Sequence, residues 1–169
     1  MKTKMTMVVF FLSMTLTISY AQEKSKRQLR KERSVEKQNE ITSLIDSKKF
    51  VFIGRTAFPQ GFRTIDLTTN QNYVKFEGDT IKSAMPFFGR GYSGIGYGND
   101  GGLNFEGKPK KFTIEKNKKG YEINAVVKGM NDEFRLFLTV SMEGYATLII
   151  NSNNRSPITY YGEISAPEK

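Results

Sequence analysis

Residues 134–151, FRLFLTVSMEGYATLIIN, decide the fold class of this chain. Large apolar residues occupy every second position on both sides of the turn dipeptide Glu143-Gly144. Because side chains alternate between the two faces of a strand, this period predicts two antiparallel strands with one buried face. The inward-facing set is Phe134, Leu136, Leu138, Val140, Met142, Ala146, Leu148 and Ile150.

The same two-residue period extends outward from this hairpin over most of the chain beyond residue 49. Further strands are predicted at residues 50–59, 64–68, 73–77, 80–85, 103–106, 111–116, 121–128 and 158–164. Tight turns join most of them, and no β-α-β spacing occurs, so the pattern predicts an antiparallel barrel or sandwich. We expect a mainly β fold: a lipocalin-like up-and-down barrel of about eight to ten strands with one N-terminal helix, because closure removes exposed strand edges.

The first 21 residues have the pattern of a secretory signal peptide. Lys2 and Lys4 precede an apolar stretch, and the small residues Ser19 and Ala21 predict cleavage between Ala21 and Gln22. A transmembrane anchor is the alternative, but the apolar stretch is short for one. We therefore expect a periplasmic or secreted protein with no transmembrane segment after cleavage.

Between the signal peptide and the strands lies a polar region of mixed charge. Residues 22–33 form a basic polar arm, and Ile41, Leu44 and Ile45 share one helical face, which predicts an N-terminal helix over residues 34–48. The β-barrel domain is predicted over residues 49–166. The arm has two alternative interpretations, a solvated segment or a basic surface that lies on anionic membrane or envelope polymer.

Composition excludes several classes of chemistry. The chain has no His and no Cys, which removes Ser-His-Asp and Cys-His nucleophilic sites and zinc sites built on those ligands. The net charge of +9 is concentrated at the N-terminus: residues 22–49 hold nine cations and five acids, whereas residues 50–169 hold fifteen and twelve. The β domain thus lacks the basic stripe of a nucleic-acid binder. We expect no enzyme activity, no cofactor and no nucleic-acid partner.

A glycine-rich segment, residues 85–104 (MPFFGRGYSGIGYGNDGGLN), interrupts the strands. Glycine permits sharp bends and close approach of a backbone or ligand, and aromatic residues are threaded through this one. In a closed barrel this segment can meet the last strand, so we predict a ligand site at one barrel mouth. The candidate binding residues are Arg90, Tyr92, Tyr97, Asp100, Arg155 and Tyr160. The structural alternative is that the tyrosines pack the barrel end and the glycines only allow the bend.

Four motifs in this order resemble the DUF4251 family: FVFIGRTAFP (50–59), MPFFGRGYSGIGY (85–97), GYATLIINS (144–152) and NRSPITYYG (154–162). The resemblance covers about residues 40–165. It implies a secreted or periplasmic protein of Bacteroidetes with a lipocalin-like β fold. It implies no activity, because the family has none assigned. In that context the triplet Asp79-Thr80-Ile81 resembles an acceptor for O-glycosylation at Thr80.

The sequence leads to two functional hypotheses. The first is a non-enzymatic cell-envelope β-barrel that binds a small amphipathic ligand as a monomer. The alternative is a structural or protein-interaction module that uses the N-terminal basic helix to engage another envelope component. A carboxylate-based hydrolase is a distant third. Ligand binding predicts a cavity with convergent polar groups, whereas an interaction module predicts an exposed apolar patch.

Overall fold

A computed structural model of the chain describes residues 26–69, 71–92 and 101–167. The chain divides into two units between Val35 and Glu36. The predicted signal peptide and its cleavage point lie outside the described residues. In the described part of the chain, no helix is both long enough and apolar enough to cross a membrane.

One helix precedes ten strands. Helix α1 spans Lys26–Ser47. The strands are β1 (Lys49–Pro59), β2 (Ile65–Asp66), β3 (Tyr73–Glu77), β4 (Thr80–Met85), β5 (Leu103–Gly107), β6 (Pro109–Lys116), β7 (Gly120–Lys128), β8 (Glu133–Ser141), β9 (Tyr145–Ser152) and β10 (Ile158–Ser165).

The strands form one antiparallel sheet with the order β5-β4-β3-β1-β10-β9-β8-β7-β6, and the short β2 pairs with β1. Apart from that branch, every hydrogen-bonded pair joins strands that follow each other in the chain, except β1 with β10. That pair brings the first strand beside the last one, with Phe52 opposite Ile164 and Pro59 opposite Ile158. Nine strands therefore curve into a nearly closed up-and-down barrel, as the sequence predicted.

The seam of the barrel lies where β5 passes into β6. β5 bonds to β4, and after Lys108 the chain continues as β6, which bonds to β7. Gly107 lies against Val127 and Lys128 of β7. Stacked rings of Phe105 and Phe134, with centroids 4.4 Å apart, join β5 to β8 inside the barrel. Side-chain packing thus closes the seam that the hydrogen-bond ladder leaves open.

The barrel interior holds an apolar cluster contributed by β1, β3, β4, β5 and β7 to β10, and Phe112 and Ile114 of β6 pack against it. Phe50 of β1 stacks on Phe76 of β3, with centroids 4.4 Å apart. Leu136, Leu138 and Ile150, which the alternation placed inside, are all buried. Burial of this apolar area is the main favourable term for a chain that has no disulfide to stabilise it.

Helix α1 is longer than the sequence predicted. It begins at Lys26 rather than residue 34, so residues 26–33 of the predicted arm are helical. Ile41 and Ile45 are fully buried and Leu44 is partly buried against the core, as the helical period indicated. The Tyr121 hydroxyl donates a hydrogen bond to the Thr42 hydroxyl at 2.9 Å. The C-terminal half of the helix is therefore part of the barrel core.

Candidate functional site

The start of the glycine-rich segment docks on the loop between β9 and β10. Gly91 and Arg155 form an isolated antiparallel bridge. The Tyr92 amide donates to the Asn154 carbonyl at 2.8 Å, and the Ser156 amide donates to the Arg90 carbonyl at 2.9 Å. The Ser156 hydroxyl, which is itself buried, accepts a bond from the Arg90 amide at 3.0 Å. Residues 90–92 thus act as a short extra strand at this end of the barrel.

Close packing explains one of the glycines. A Cβ atom at Gly89 would collide with the Ser156 hydroxyl and would lie 2.6 Å from the Phe87 ring. Only glycine lets the backbone approach the β9–β10 loop this closely. Close packing therefore fixes the identity of this residue.

Arg155 binds the far end of the same segment. Its guanidinium donates to the Gly102 carbonyl at 2.6 Å and to the Gly101 carbonyl at 3.3 Å. The guanidinium carbon lies 5.3 Å from the centroid of the Phe87 ring, within cation–π distance. The side chain that was predicted to meet a ligand thus joins both ends of the glycine-rich segment to the last loop.

Tyr160 is fully buried, and its hydroxyl donates to the Pro86 carbonyl at 2.7 Å. Burial raises the pKa of the Tyr160 phenol, an effect that the charge of Arg155 partly opposes. The phenol therefore stays protonated, and its single donor is already occupied within the fold.

The predicted mouth residues separate into three groups. Arg90 and Tyr92 are exposed beside Arg155, so the structure brings these three to one end of the barrel. Tyr160 is buried next to Pro86, and Tyr97 and Asp100 lie outside the described residues. A role for these residues in binding stays a prediction.

Thr80, the predicted O-glycosylation site, is the first residue of β4. It follows the Gly78-Asp79 turn of the β3–β4 hairpin, where Gly78 has a positive φ of 67°. Its side chain is only partly exposed, and modification there stays a prediction.

A second feature, which the sequence did not reveal, is a groove of about 600 Å³ on the outer face of the barrel. We call it the outer groove. It crosses β7, β8, β9, β10 and β1. Three outward-facing residues in one register row line it: Thr139 is opposite Thr147, and Thr147 is opposite Tyr161. Tyr145 stands beside this row, with 65% of its surface exposed, and Tyr161 is 48% exposed.

Polar groups border the outer groove at both sides. Arg55 and Glu163 form an exposed ion pair at 2.6 Å between β1 and β10. On the other side, the Asn117 amide nitrogen donates to the Glu122 carboxylate at 2.8 Å, and the turn that carries Asn117 also presents Lys119. The groove therefore combines an aromatic and threonine lining with both signs of charge at its rim.

A buried hydroxyl adds to this picture. Among the described residues, Ser141 Oγ is a buried side-chain oxygen without a hydrogen-bond partner, and Ser141 lines the outer groove. Unsatisfied buried polar groups are rare in folded proteins, because each costs about 1–3 kcal/mol.

An apolar row lies next to the groove on the same outer face. Phe137 of β8 is opposite Ile149 of β9, Ile149 is opposite Thr159 of β10, and Thr159 is opposite Phe58 of β1. The Phe58 ring packs edge-on against Tyr161, with centroids 4.7 Å apart. Phe137, Ile149 and Phe58 are all exposed. Alternation placed these side chains outside, but only the strand register shows that they lie in one row across the sheet.

Within residues 26–69, 71–92 and 101–167, no three acidic side chains cluster closely enough to hold a metal ion.

Comparison with known proteins gives a fold relationship. Residues 32–164 match the model of a family described as "Domain of unknown function (DUF4251)". The crystal structure of a DUF4251 family protein from Bacteroides eggerthii DSM 20697 is similar, with a TM-score of 0.60 and 18% sequence identity. The match covers 78% of this chain and 88% of that chain. No curated protein matches the sequence.

Proposed function

Because this chain belongs to the DUF4251 family, whose description assigns no function, we propose a function from the geometry of its surface. The protein is a non-enzymatic binding module of the cell envelope that takes a small amphipathic ligand in the outer groove. The observation that carries this proposal is the groove itself, with Tyr145 and Tyr161 exposed beside a threonine row.

The chemistry of the groove suits an amphipathic molecule. Small-ligand sites combine apolar and aromatic walls with a few polar groups that fix orientation. Tyr145 and Tyr161 supply the walls, and Lys119 and the Arg55–Glu163 pair supply the polar groups.

The proposal moves the binding site away from the predicted mouth. Tyr160 commits its single donor to the Pro86 carbonyl, and Arg155 already uses its Nη1 group to bond two backbone carbonyls, so both side chains hold the fold at that end. Arg90 and Tyr92 remain exposed there, and they serve as the comparison in the experiment below.

A fluorescence titration with the amphipathic anion 1-anilinonaphthalene-8-sulfonate tests the site. The wild-type protein should show one saturable site. Tyr145→Ala and Tyr161→Ala should each weaken binding about tenfold, because each removes an aromatic wall. Phe137→Ala, an exposed aromatic outside the groove on the same sheet face, is the matched control and should bind normally.

The opposite pattern would contradict the outer-groove assignment. If both groove variants bind the probe like the wild type, while Arg90→Ala or Tyr92→Ala loses it, the site is the barrel mouth. Circular dichroism melts of each variant would confirm that the fold is retained, since the probe also binds partly unfolded chains.

A second candidate function is favoured by the apolar row Phe137–Ile149–Thr159–Phe58. Contiguous exposed apolar surface often marks a protein interaction site. If this protein is an interaction module, chemical cross-linking in intact cells should give a defined adduct that Phe137→Asp abolishes and Tyr145→Ala preserves. Loss in the Tyr145 variant alone would instead favour the ligand site.

A further inference from the structure

Four loop regions lie at the end of the barrel where β1 finishes and β10 begins. Pro59 pairs with Ile158, and Lys128 pairs with Glu133, so the loops of residues 60–64, 129–132 and 153–157 leave from the same end. Residues 89–92 join them through the Gly91–Arg155 bridge. We call these four regions together the loop end.

Three of the four regions present one large apolar side chain to solvent. Met130 is 97% exposed, Tyr92 is 67% exposed and Phe62 is 52% exposed. Single exposed apolar residues are common, but here three lie on loops at the same end of the barrel, and such grouping is typical of an interaction surface.

Hydrogen bonds show that these loops are neighbours. The Asn154 carbonyl accepts the Tyr92 amide, and the Asn154 side chain donates to the Asn131 carbonyl at 3.0 Å. Tyr92 and Met130 therefore flank Asn154. The Phe62 amide donates to the Pro59 carbonyl at 3.3 Å, which holds its turn beside the start of β10.

The charge of the loop end is positive. The four regions contain three arginines, Arg63, Arg90 and Arg155, and one acid, Asp132. Arg63 and Arg90 adjoin Phe62 and Tyr92 in the chain, and both are exposed. Neither guanidinium has a hydrogen-bond or ion-pair partner among the residues that the structure describes.

The single acid is committed to internal bonds. The Asp132 carboxylate accepts the Ser152 hydroxyl and the amides of Glu133 and Asn153. Glu133, the next residue, is bonded to Lys110 at 2.6 Å, and this contact holds the pKa of Glu133 below its usual value. The loop end thus presents arginine and apolar groups outward and keeps its carboxylate turned inward.

We propose that the loop end docks on the surface of a membrane that contains anionic phospholipids. Apolar side chains on separate loops can enter the headgroup region one by one, and the neighbouring guanidiniums can bind lipid phosphates in a bidentate manner. Anionic lipid also attracts exposed arginines electrostatically. This surface is separate from the outer groove, so the proposal is independent of the ligand site.

Vesicle co-sedimentation tests the proposal with the full purified protein. It should bind vesicles that contain phosphatidylglycerol and should not bind pure phosphatidylcholine vesicles. Arg63→Gln and Arg90→Gln should each weaken binding about fivefold, because each removes one cation at the lipid surface. Phe62→Ser and Met130→Ser should also weaken binding, whereas Phe137→Ser, at an exposed site elsewhere on the barrel, should not.

The basic helix needs its own control, since it too can attract anionic lipid. Arg27→Gln and Arg30→Gln remove matched charges from exposed positions of α1 and should leave most binding intact. Binding that depends on these helix arginines and survives the loop-end changes would overturn the proposal. Equal binding to neutral and anionic vesicles would also overturn it. Failure to bind either kind of vesicle would overturn it too, and would point to a protein partner for this surface.

Discussion

Arg155 directs its guanidinium at two backbone carbonyls of the glycine-rich segment, and this contact ties that segment to the last loop. Arg155→Ala should lower the free energy of unfolding by about 1.5–3 kcal/mol, the usual contribution of hydrogen bonds to charged groups. Arg90→Ala, an exposed neighbour, should change it by less than about 0.5 kcal/mol. Urea melts of the two variants measure these free energies. An equally small loss of stability in both would show that the Arg155 contacts are dispensable.

Tyr160 makes stability depend on pH in the alkaline range. Its folded pKa is raised by burial above the ordinary value of 10.0, so above pH 10 the unfolded chain loses a proton that the folded protein keeps. The stability that this phenol contributes is complete below pH 10 and falls as the pH rises, by about 1.4 kcal/mol per pH unit.

Tyr160→Phe removes this titration. It should cost about 1 kcal/mol at neutral pH, because the Pro86 carbonyl loses its donor, and it should flatten the fall in stability above pH 10. Tyr161→Phe is the control, since Tyr161 is half exposed. Denaturant melts over a pH series would contradict this account if both variants kept the wild-type slope.

The sequence alone could not show the roles of Arg155 and Tyr160. Tyrosine and arginine near a glycine-rich segment are compatible with a ligand site, and they are equally compatible with a structural role in which they bond that segment to the barrel. Which one they form depends on where the Pro86 and Gly102 carbonyls lie in space, and no periodic pattern encodes that position. The distances to those carbonyls show internal bonds at Arg155 and Tyr160.

At the scale of elements, β8 is the central strand of the best-predicted region. Leu138 lies between Ile123 of β7 and Leu148 of β9 and is buried. Leu138→Ala should cost about 2–5 kcal/mol, because it leaves a cavity in a packed interior. Thr139→Ala, the next residue on the outer face, should cost less than about 1 kcal/mol. Similar losses at both positions in a urea melt would mean that the two faces of β8 are not as distinct as the structure shows.

Strand positions followed directly from alternation, because a two-residue period with one buried face is a local property of the sequence. The hairpin of β3 and β4 was predicted with its observed bounds, Tyr73–Glu77 and Thr80–Met85. Strand register is not local, since it depends on turn geometry and on pairing between distant segments such as β1 and β10. The outer groove and the apolar row depend on that register, so the sequence could not reveal them.

The predicted start of α1 was wrong for a different reason. Apolar period was the criterion, and residues 26–33 contain only Leu29 as a large apolar residue. Their charged residues, Lys, Arg and Glu, are nevertheless good helix formers. Intrinsic propensity therefore continues the helix to Lys26 without any buried face, and Leu29 is exposed there.

At the scale of the whole molecule, the proposed envelope location rests on the sequence pattern of the first 21 residues. The protein isolated from its own cells should begin at Gln22, because Ser19 and Ala21 are the small residues that a signal peptidase requires. N-terminal sequencing of the protein from the envelope or secreted fraction tests this. An intact Met1 on the native protein would contradict the envelope location and, with it, the membrane proposal for the loop end.

The central claim is that the barrel binds its small amphipathic ligand in the outer groove rather than at its mouth. A ¹⁵N NMR titration of the assigned protein with 1-anilinonaphthalene-8-sulfonate tests it most directly, because every amide reports its own surroundings. We predict that shift changes concentrate at Thr139, Tyr145, Thr147 and Tyr161. Changes that concentrate at residues 89–92 and 153–157, with the groove amides unmoved, would contradict the claim.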